Sequence, residues 1–519
     1  MTVRLWIDVE DLFEYAQRNP RPSGIQRMSF EICRALYERY GHTGLIQFVR
    51  HHGMRSDFGI VTWEEVAALF CDMTSGVRQQ SVLSQQPTPR GRAAPFVKKF
   101  VLVLPSDLRV PVQDALALQL KAFRAWQTAG RSFMAALRRT AMAAARRIRS
   151  NVVRLASHQR TQLSRVRVVD QFAKMAGPSD ILLALGASWT HPDYPGLLKL
   201  QRSRHGLHVA ALIYDLIPLR CPEWFDPHYR ESVAHWFRNI VPECRYLLAI
   251  SQAVARDIEL YAGRENIVLP PRVVPIPVGT GFDPLPSVLP KNGDGLPEPG
   301  TYVLFVSTIE IRKNHALLFR VWCRLLDEMP WDQVPTLVFA GRVGTLVGDL
   351  MQQVANTNYL GGKLIILDNI DDAELASLYQ GCMFTVFPSL YEGWGLPVTE
   401  SLAFGKPCLI ANRTSLPEAG GSLARRFNPD NLDDAYQAIR RVIENPAELE
   451  EWAAKIRDSF KPVPWSATAE ALLEALDLRR MLATETAQRC PGLEPAGEAF
   501  SAPRHHETVA IADRALGAD

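Results

Sequence analysis

The chain has 519 residues, more than one ordinary core holds, so two large domains are expected. Apolar residues make up 47% and charged residues 22%, a balance that argues against a disordered or fibrous chain. A net charge of +3 gives no sign of a nucleic-acid binder, and no apolar run reaches the roughly 18 residues of a membrane span.

The first residues, "MTVRLWIDVEDLFEY", place acids where a signal peptide has its apolar core, so export is not expected. The eight cysteines are scattered, with no CxxC and no histidines at metal spacing. Reduced thiols in the cytoplasm are therefore expected, and no structural zinc. "VRLWIDV" reads as a strand, "RNPRPSGIQR" as a turn-rich loop and "MSFEICRALYERYG" as a helix, the opening of an α/β domain. Residues 81–95 read as a loose linker.

Residues 115–169 hold twelve Arg and Lys and no Asp or Glu. Met134, Leu137, Ala141, Ala145, Ile148, Val152 and Leu155 recur at helical steps, which predicts a basic amphipathic helical insertion over 110–170. Three uses fit it. It packs as a hairpin on the N-terminal domain, it lies on an anionic membrane surface, or it binds nucleic acid. The last ranks lowest, because no base-reading module is visible.

The α/β pattern then resumes. "ILLALGASW" and "HVAALIYDLIPL" read as buried strands, and "YLLAISQAVARDIELYAG" as a strand, a Ser251 helix cap and a helix. "RVVPIPVGTGF" is a further strand. "FDPLPSVLPKNGDGLPEPG", with five prolines over 282–300, is the clearest linker. A second series of apolar strands alternating with helices follows, predicting another parallel sheet covered on both faces. The expected division is an N-terminal Rossmann-like domain over 1–283 and a C-terminal one over 300–464. A helix over 465–480 returns to the N-terminal domain, and a disordered tail covers 481–519.

The second half carries the chemistry. "LYEGWGLPVTES" sets Glu392 and Glu400 on either side of a glycine turn at the end of the strand "MFTVFPS". Parallel sheets bind ligands at such strand ends. Gly393 and Gly395 allow a tight turn and close backbone approach, and Pro397 suits the first turn of a helix whose free N–H groups would hold a phosphate. A carboxylate one turn inside that helix repels phosphate but accepts hydrogen bonds from paired sugar hydroxyls. Glu400 and Glu392 are thus placed to hold the two ends of a nucleotide sugar. The bland alternative makes Glu400 a helix-dipole acid and Glu392 a loop acid.

Upstream, "STIEIRKN" presents Arg312 and Lys313. As neighbours their side chains should diverge, one toward the site and one toward solvent or an acid. A cation there would neutralise a departing diphosphate without a metal. Asp368, Asp371 and Asp372 sit where a metal-binding Asp pair would occur in another transferase fold, but acids opening the helix "DDAELASLYQ" read as caps.

"FPSLYEGWGLPVTESLAFGKPCLIANRTSLPEAGG", with "YVLFVSTIEIRKNHALL" upstream, resembles the retaining glycosyltransferases of family 4. The resemblance is strong over 301–446 and weaker in "RPSGIQRMSFEICRAL", "LIYDLIPLRCPEWF" and "LLAISQAVARDI". It implies the GT-B architecture of two facing Rossmann-like domains. It also implies a nucleotide-sugar substrate and no metal or other cofactor. By resemblance, Glu400 binds the ribose and Glu392 faces the donor sugar. The amides of Gly395 and Leu396 hold the diphosphate, Lys313 and Arg312 stabilise the leaving group, and Gly24 lies in a loop closing over the donor.

Two departures stand out. Ser307-Thr308 replaces a common Gly-Arg, and Tyr214-Asp215 replaces a common His-Asp. Tyr214 offers one hydrogen bond and no neutral-pH base, which makes Asp215 the better acceptor contact. Trp189 and His191 are further acceptor candidates, with a packed tryptophan and a solvent-facing histidine as the bland alternative.

The resulting expectation is a cytoplasmic enzyme, peripheral on the inner membrane face under the membrane reading of 115–169. It transfers mannose from GDP-mannose to a glycan or lipid-linked acceptor in surface-polysaccharide assembly. A UDP-sugar donor is the main rival. An inactive relative that binds nucleotide or glycan in an assembly complex is the other.

Overall fold

A computed structural model of the chain describes residues 3–19, 21–51, 57–74, 171–281 and 296–479. The predicted basic insertion, the 81–95 linker and the tail lie outside these residues, as does most of the proline-rich linker.

Two sheets organise the described residues. The first contains β1 (Leu5–Asp8), β2 (Ile46–Arg50), β3 (Gly59–Val61), β4 (Ile181–Ala184), β5 (His208–Ile213), β6 (Cys244–Ala249) and β7 (Val273–Pro275), in the order β3-β2-β1-β4-β5-β6-β7. Only β3 runs antiparallel, against β2. The second contains β8 (Tyr302–Val306), β9 (Thr336–Ala340), β10 (Leu364–Leu367), β11 (Thr385–Phe387), β12 (Cys408–Ala411) and β13 (Arg425–Phe427), in the order β10-β9-β8-β11-β12-β13. Each order reverses direction at its first strand, β1 in one and β8 in the other. That is the Rossmann pattern, and it opens a crevice at the carboxyl ends of the central strands.

The residues explain the layering. "ILLA" of β4 is buried throughout, and "HVAALI" of β5 is buried after its first residue. Strands without a polar face need helices on both sides, which parallel connections supply. Caps define the helix starts. Ser251 accepts a hydrogen bond from Val254 N at 3.0 Å, as the sequence predicts. Asp371 and Glu374 form a reciprocal capping box.

The chain returns to the first sheet near its C-terminus. Trp465, Ala469, Leu472 and Leu473 of the Trp465–Ala475 helix are buried in the core that holds β1, β4, β5 and β6. A Cβ at Gly279 would fall 2.3 Å from the Trp465 ring, so only glycine admits this packing. Val463 and Thr280 fix the crossing through a backbone bond of 2.8 Å and a bond from Val463 N to Thr280 Oγ1 of 3.1 Å. The two Rossmann-like units face one another, as the GT-B expectation requires.

Candidate active site

The glycine turn follows β11 and sits where the two sheets meet. Gly395 adopts φ +111°, outside the range of ordinary L residues, and serves as N-cap of the Leu396–Ala403 helix. Gly393 is needed for another reason: an added Cβ would lie 2.2 Å from the carbonyl oxygen of Tyr214 in the N-terminal unit. The loop after β12 braces the turn. Glu392 N donates to Thr414 Oγ1 at 3.0 Å. Ser415 Oγ reaches the carbonyls of Glu392 and Trp394 at 2.9 and 2.8 Å.

Glu392 is clamped by two cations. Lys313 Nζ lies 2.5 Å from Oε1, and Arg312 Nη1 lies 2.9 Å from Oε2. Arg312 also reaches Glu310 at 2.7 Å. The expected divergence of Arg312 and Lys313 is therefore corrected. Both lie in the tight turn Ile311–Lys313, whose geometry brings the two side chains to one carboxylate. Burial alone would raise the Glu392 pKa, but Lys313 and Arg312 outweigh it and hold the group at about 2. Burial and the neighbouring Arg312 lower the Lys313 pKa, with Glu392 opposing them.

Glu400 occupies the far side of the turn. It is 7% exposed and accepts a hydrogen bond from Tyr379 Oη at 2.8 Å. Burial raises its pKa, against the pull of the Tyr379 hydroxyl and Arg27. A Cβ at Gly281 would meet Glu400 Oε1 at 2.1 Å, so the end of the N-terminal unit passes directly over this carboxylate. Gly24 begins a helix, Gly24–Tyr40, whose start faces Leu396. The gap from an added Cβ to Leu396 Cδ1 is 3.9 Å.

On the N-terminal side Asp215 follows β5, and its Oδ1 accepts from Ile217 N at 3.0 Å. The capping alternative is thus real, but the residue also lies in the field of Arg312, Glu392 and Lys313. Burial raises its pKa and Arg312 lowers it. Asp215, Glu392, Lys313 and Arg312 form one charged cluster drawn from both sheets.

Tyr214 requires correction. Its side chain is 3% exposed. Its hydroxyl donates to Leu185 O at 2.7 Å and lies 2.8 Å from Ser29 Oγ. The ring points into the N-terminal core, and only the main chain of Tyr214 reaches the cleft, against Gly393. An acceptor cannot use this hydroxyl without unpacking the core.

Trp189 and His191 follow β4, the strand beside β5. Trp189 Nε1 donates to Tyr229 Oη at 3.1 Å and its ring meets Trp236 edge-on. His191 Nδ1 accepts from Asp193 N at 3.0 Å, and its ring packs on His51 and Tyr194. Both are half-buried, Trp189 packed in its loop and His191 packed on one side with part of its surface open to solvent. Ser307, at the end of β8, is half-buried with Oγ 3.2 Å from His315 Nε2.

Several contacts across the cleft escape sequence reading. Arg27 Nη2 lies 2.7 Å from Asp372 Oδ1, beside Glu400. Ser251 Oγ donates to Gly393 O at 2.8 Å while also capping its helix. Gln252 N donates to Glu418 Oε1 at 2.9 Å. Tyr391 Oη donates to Asp257 at 2.6 Å, and Arg220 sits 3.3 Å from the same carboxylate. Tyr229 lies near Asp215; burial and that acid hold its hydroxyl up at about 12. The motif residues "SGIQR" and "RTSLPEAGG" mark the neighbourhood of Arg27 and Glu418, but their partners are distant in sequence. Among the described residues, no group of three or more His, Cys, Asp or Glu is placed to hold a metal ion.

Residues 291–459 match the family described as "Glycosyl transferases group 1". The chain is 28% identical over 277 residues to the serotype-specific mannosyltransferase WbdA of Escherichia coli. That match covers 51% of this chain and 33% of the relative. It is 28% identical over 177 residues to the O-antigen chain mannosyltransferase B of Escherichia coli, covering 34% of this chain and 46% of the relative. The chain thus spans about a third of the length of the WbdA proteins it matches. Among solved structures, that of TarM aligns at 14% identity with a TM-score of 0.42, covering 60% of this chain and 57% of TarM.

Proposed function

We propose, from the match of residues 291–459 to the glycosyl transferases group 1 family, that the chain is a retaining, metal-independent glycosyltransferase. It moves mannose from GDP-mannose to a glycan or lipid-linked glycan acceptor in polysaccharide assembly. The observation that carries this reading is the cluster at the cleft: Glu392 between Lys313 and Arg312, with Glu400 on the other side of the glycine turn and Asp215 opposite. The mannosyltransferase names of the two relatives support mannose as the transferred sugar.

The proposed roles follow from charge. Glu400 accepts the ribose hydroxyls. The free amides of Gly395 and Leu396 at the helix start take the diphosphate, with Gly24 closing from the other unit. Arriving phosphates compete with Glu392 for Lys313 and Arg312. The cations turn to the anion, and the freed carboxylate of Glu392 meets the hydroxyls of the donor sugar. As the bond from the anomeric carbon to the diphosphate breaks, its electron pair stays on the diphosphate, where Lys313 and Arg312 stabilise it. The acceptor oxygen bonds to the same face, and its proton passes to the departing diphosphate oxygen. Configuration is retained. Asp215 orients the acceptor hydroxyl, and Trp189 with His191 borders the acceptor side. Closure of the cleft keeps water from the donor.

In this reading the protein works in the cytoplasm at the inner membrane face. No helix among the described residues is long and apolar enough to cross a membrane. Thermal unfolding with GDP, GDP-mannose, UDP and UDP-sugars tests the donor site. A ligand bound only by the folded state stabilises it by about 2.7 kcal/mol at a hundredfold over its Kd. GDP should raise the midpoint of the wild type and not of Glu400→Ala. A shift by UDP alone would replace the donor, and no shift by any nucleotide would overturn the site.

A further inference from the structure

Ser307 stands at the carboxyl end of β8, in the loop that delivers Lys313. Its backbone is fixed. Ser307 N donates to Ala340 O at 3.1 Å, and its carbonyl oxygen is so close to Gly341 that a Cβ there would lie 2.1 Å away. The hydroxyl is the one part left to orient. It lies 3.2 Å from Nε2 of His315, the first residue of the next helix.

His315 is 1% exposed. Its ring packs against Phe305 and Phe339 at 4.4 and 4.7 Å between centroids. Burial and the nearby Lys313 pull its pKa down to about 3, so the imidazole is neutral and carries one proton. Nδ1 is buried and has no hydrogen-bond partner among the described residues. A neutral ring must leave either an N–H or a lone pair at that nitrogen. An orphaned buried N–H is the rarer and costlier choice, and an aromatic face is a weak substitute acceptor.

We infer that His315 is a positioning residue whose Nε2–H donates to Ser307 Oγ, leaving the Ser307 O–H to donate to a diphosphate oxygen of the donor. This inference rests on the nucleotide-sugar reading of the cleft. It gives Ser307 a defined direction: with one lone pair taken by an N–H, the hydroxyl keeps its proton free of His315 and able to donate outward. A neutral donor held this way takes a place on the phosphate without adding a third cation beside Lys313 and Arg312.

The test is a double-mutant cycle on Ser307→Ala and His315→Phe, reading GDP and guanosine affinity in the intact protein. Phenylalanine keeps the aromatic packing and removes the unpartnered nitrogen, so His315→Phe should fold with an unchanged or raised thermal midpoint. Ser307→Ala should weaken GDP by about tenfold, the worth of one hydrogen bond to a charged group, His315→Phe should weaken it measurably but less, and both should leave guanosine unchanged. The double variant should be no weaker than Ser307→Ala, because His315 acts only through that hydroxyl. Nitrogen-15 shifts of His315 should report the Nε2–H tautomer. Full GDP affinity in His315→Phe, additive losses, or an Nδ1–H tautomer would overturn the inference while leaving the donor site standing. Failure of the wild type to bind any nucleoside diphosphate would overturn the donor site and the inference with it.

Discussion

At the residue scale, the chemistry concentrates in a carboxylate that two cations hold ionised. The pKa of Glu392 is depressed from 4.5 to about 2, so its charge stabilises the fold above the ordinary value and is lost as pH falls toward the folded one. Chemical denaturation across that acid window should show a steep loss in the wild type. Glu392→Gln should give a flatter acid limb, on a protein already weakened by two cations without their partner. An equally steep limb would show that the titration belongs elsewhere. Gly393 makes a second residue-scale prediction. Gly393→Ala places a methyl group 2.2 Å from Tyr214 O. It should cut turnover sharply while circular dichroism stays native, because relief requires the two units to part. Normal turnover would mean that the cleft is not closed in this way during catalysis.

The same residues show what the sequence discloses. Glu392, Glu400 and the two glycines were legible because a glycine turn between acids at a strand end has few uses. The clamp of both Arg312 and Lys313 on one carboxylate was not. It depends on a tight turn about eighty positions away from Glu392. Tyr214 misled for a related reason: it follows a strand and precedes Asp215, but its side chain alternates inward to a hydroxyl pair in the core.

At the element scale, helix starts and strand order do the positioning. Ser251 caps its own helix and reaches Gly393 O in the other unit. Its first role was readable from the hydroxyl before an apolar helix. The second was not, since nothing local encodes a partner 142 residues away. The Trp465–Ala475 helix is C-terminal in sequence and part of the N-terminal core in space. Trp465 is 1% exposed. Trp465→Ala should cost about 3–5 kcal/mol in denaturant unfolding, a loss typical of large aromatic truncations. Hydrogen exchange should locate that loss in β5 and β6 rather than in β8 and β9. Uniform loss over the second sheet would contradict this placement.

At the scale of the whole molecule, the cleft is held by contacts from both units. They include Arg27 with Asp372, Ser251 with Gly393, Gln252 with Glu418, and Tyr391 with Asp257. The two-Rossmann architecture was legible from strands alternating with helices and from a proline-rich break. The pairing of surfaces was not, because ion pairs between units carry no local pattern. Arg27→Ala should enlarge the radius of gyration measured by X-ray scattering. The wild type should approach the variant only in part at high salt, because a half-buried ion pair is screened less than an exposed one. Identical scattering would remove Arg27 from closure.

In the proposed reaction Lys313 stabilises a departing diphosphate. The rate of GDP release from GDP-mannose, measured with Lys313→Ala beside the wild type at saturating donor, reads this role. Removal of a group that stabilises transition-state charge typically costs about a hundredfold or more in kcat. Lys313→Ala should lose about that much, with GDP affinity reduced far less. Equal rates in the two proteins, with the wild type clearly active, would contradict it.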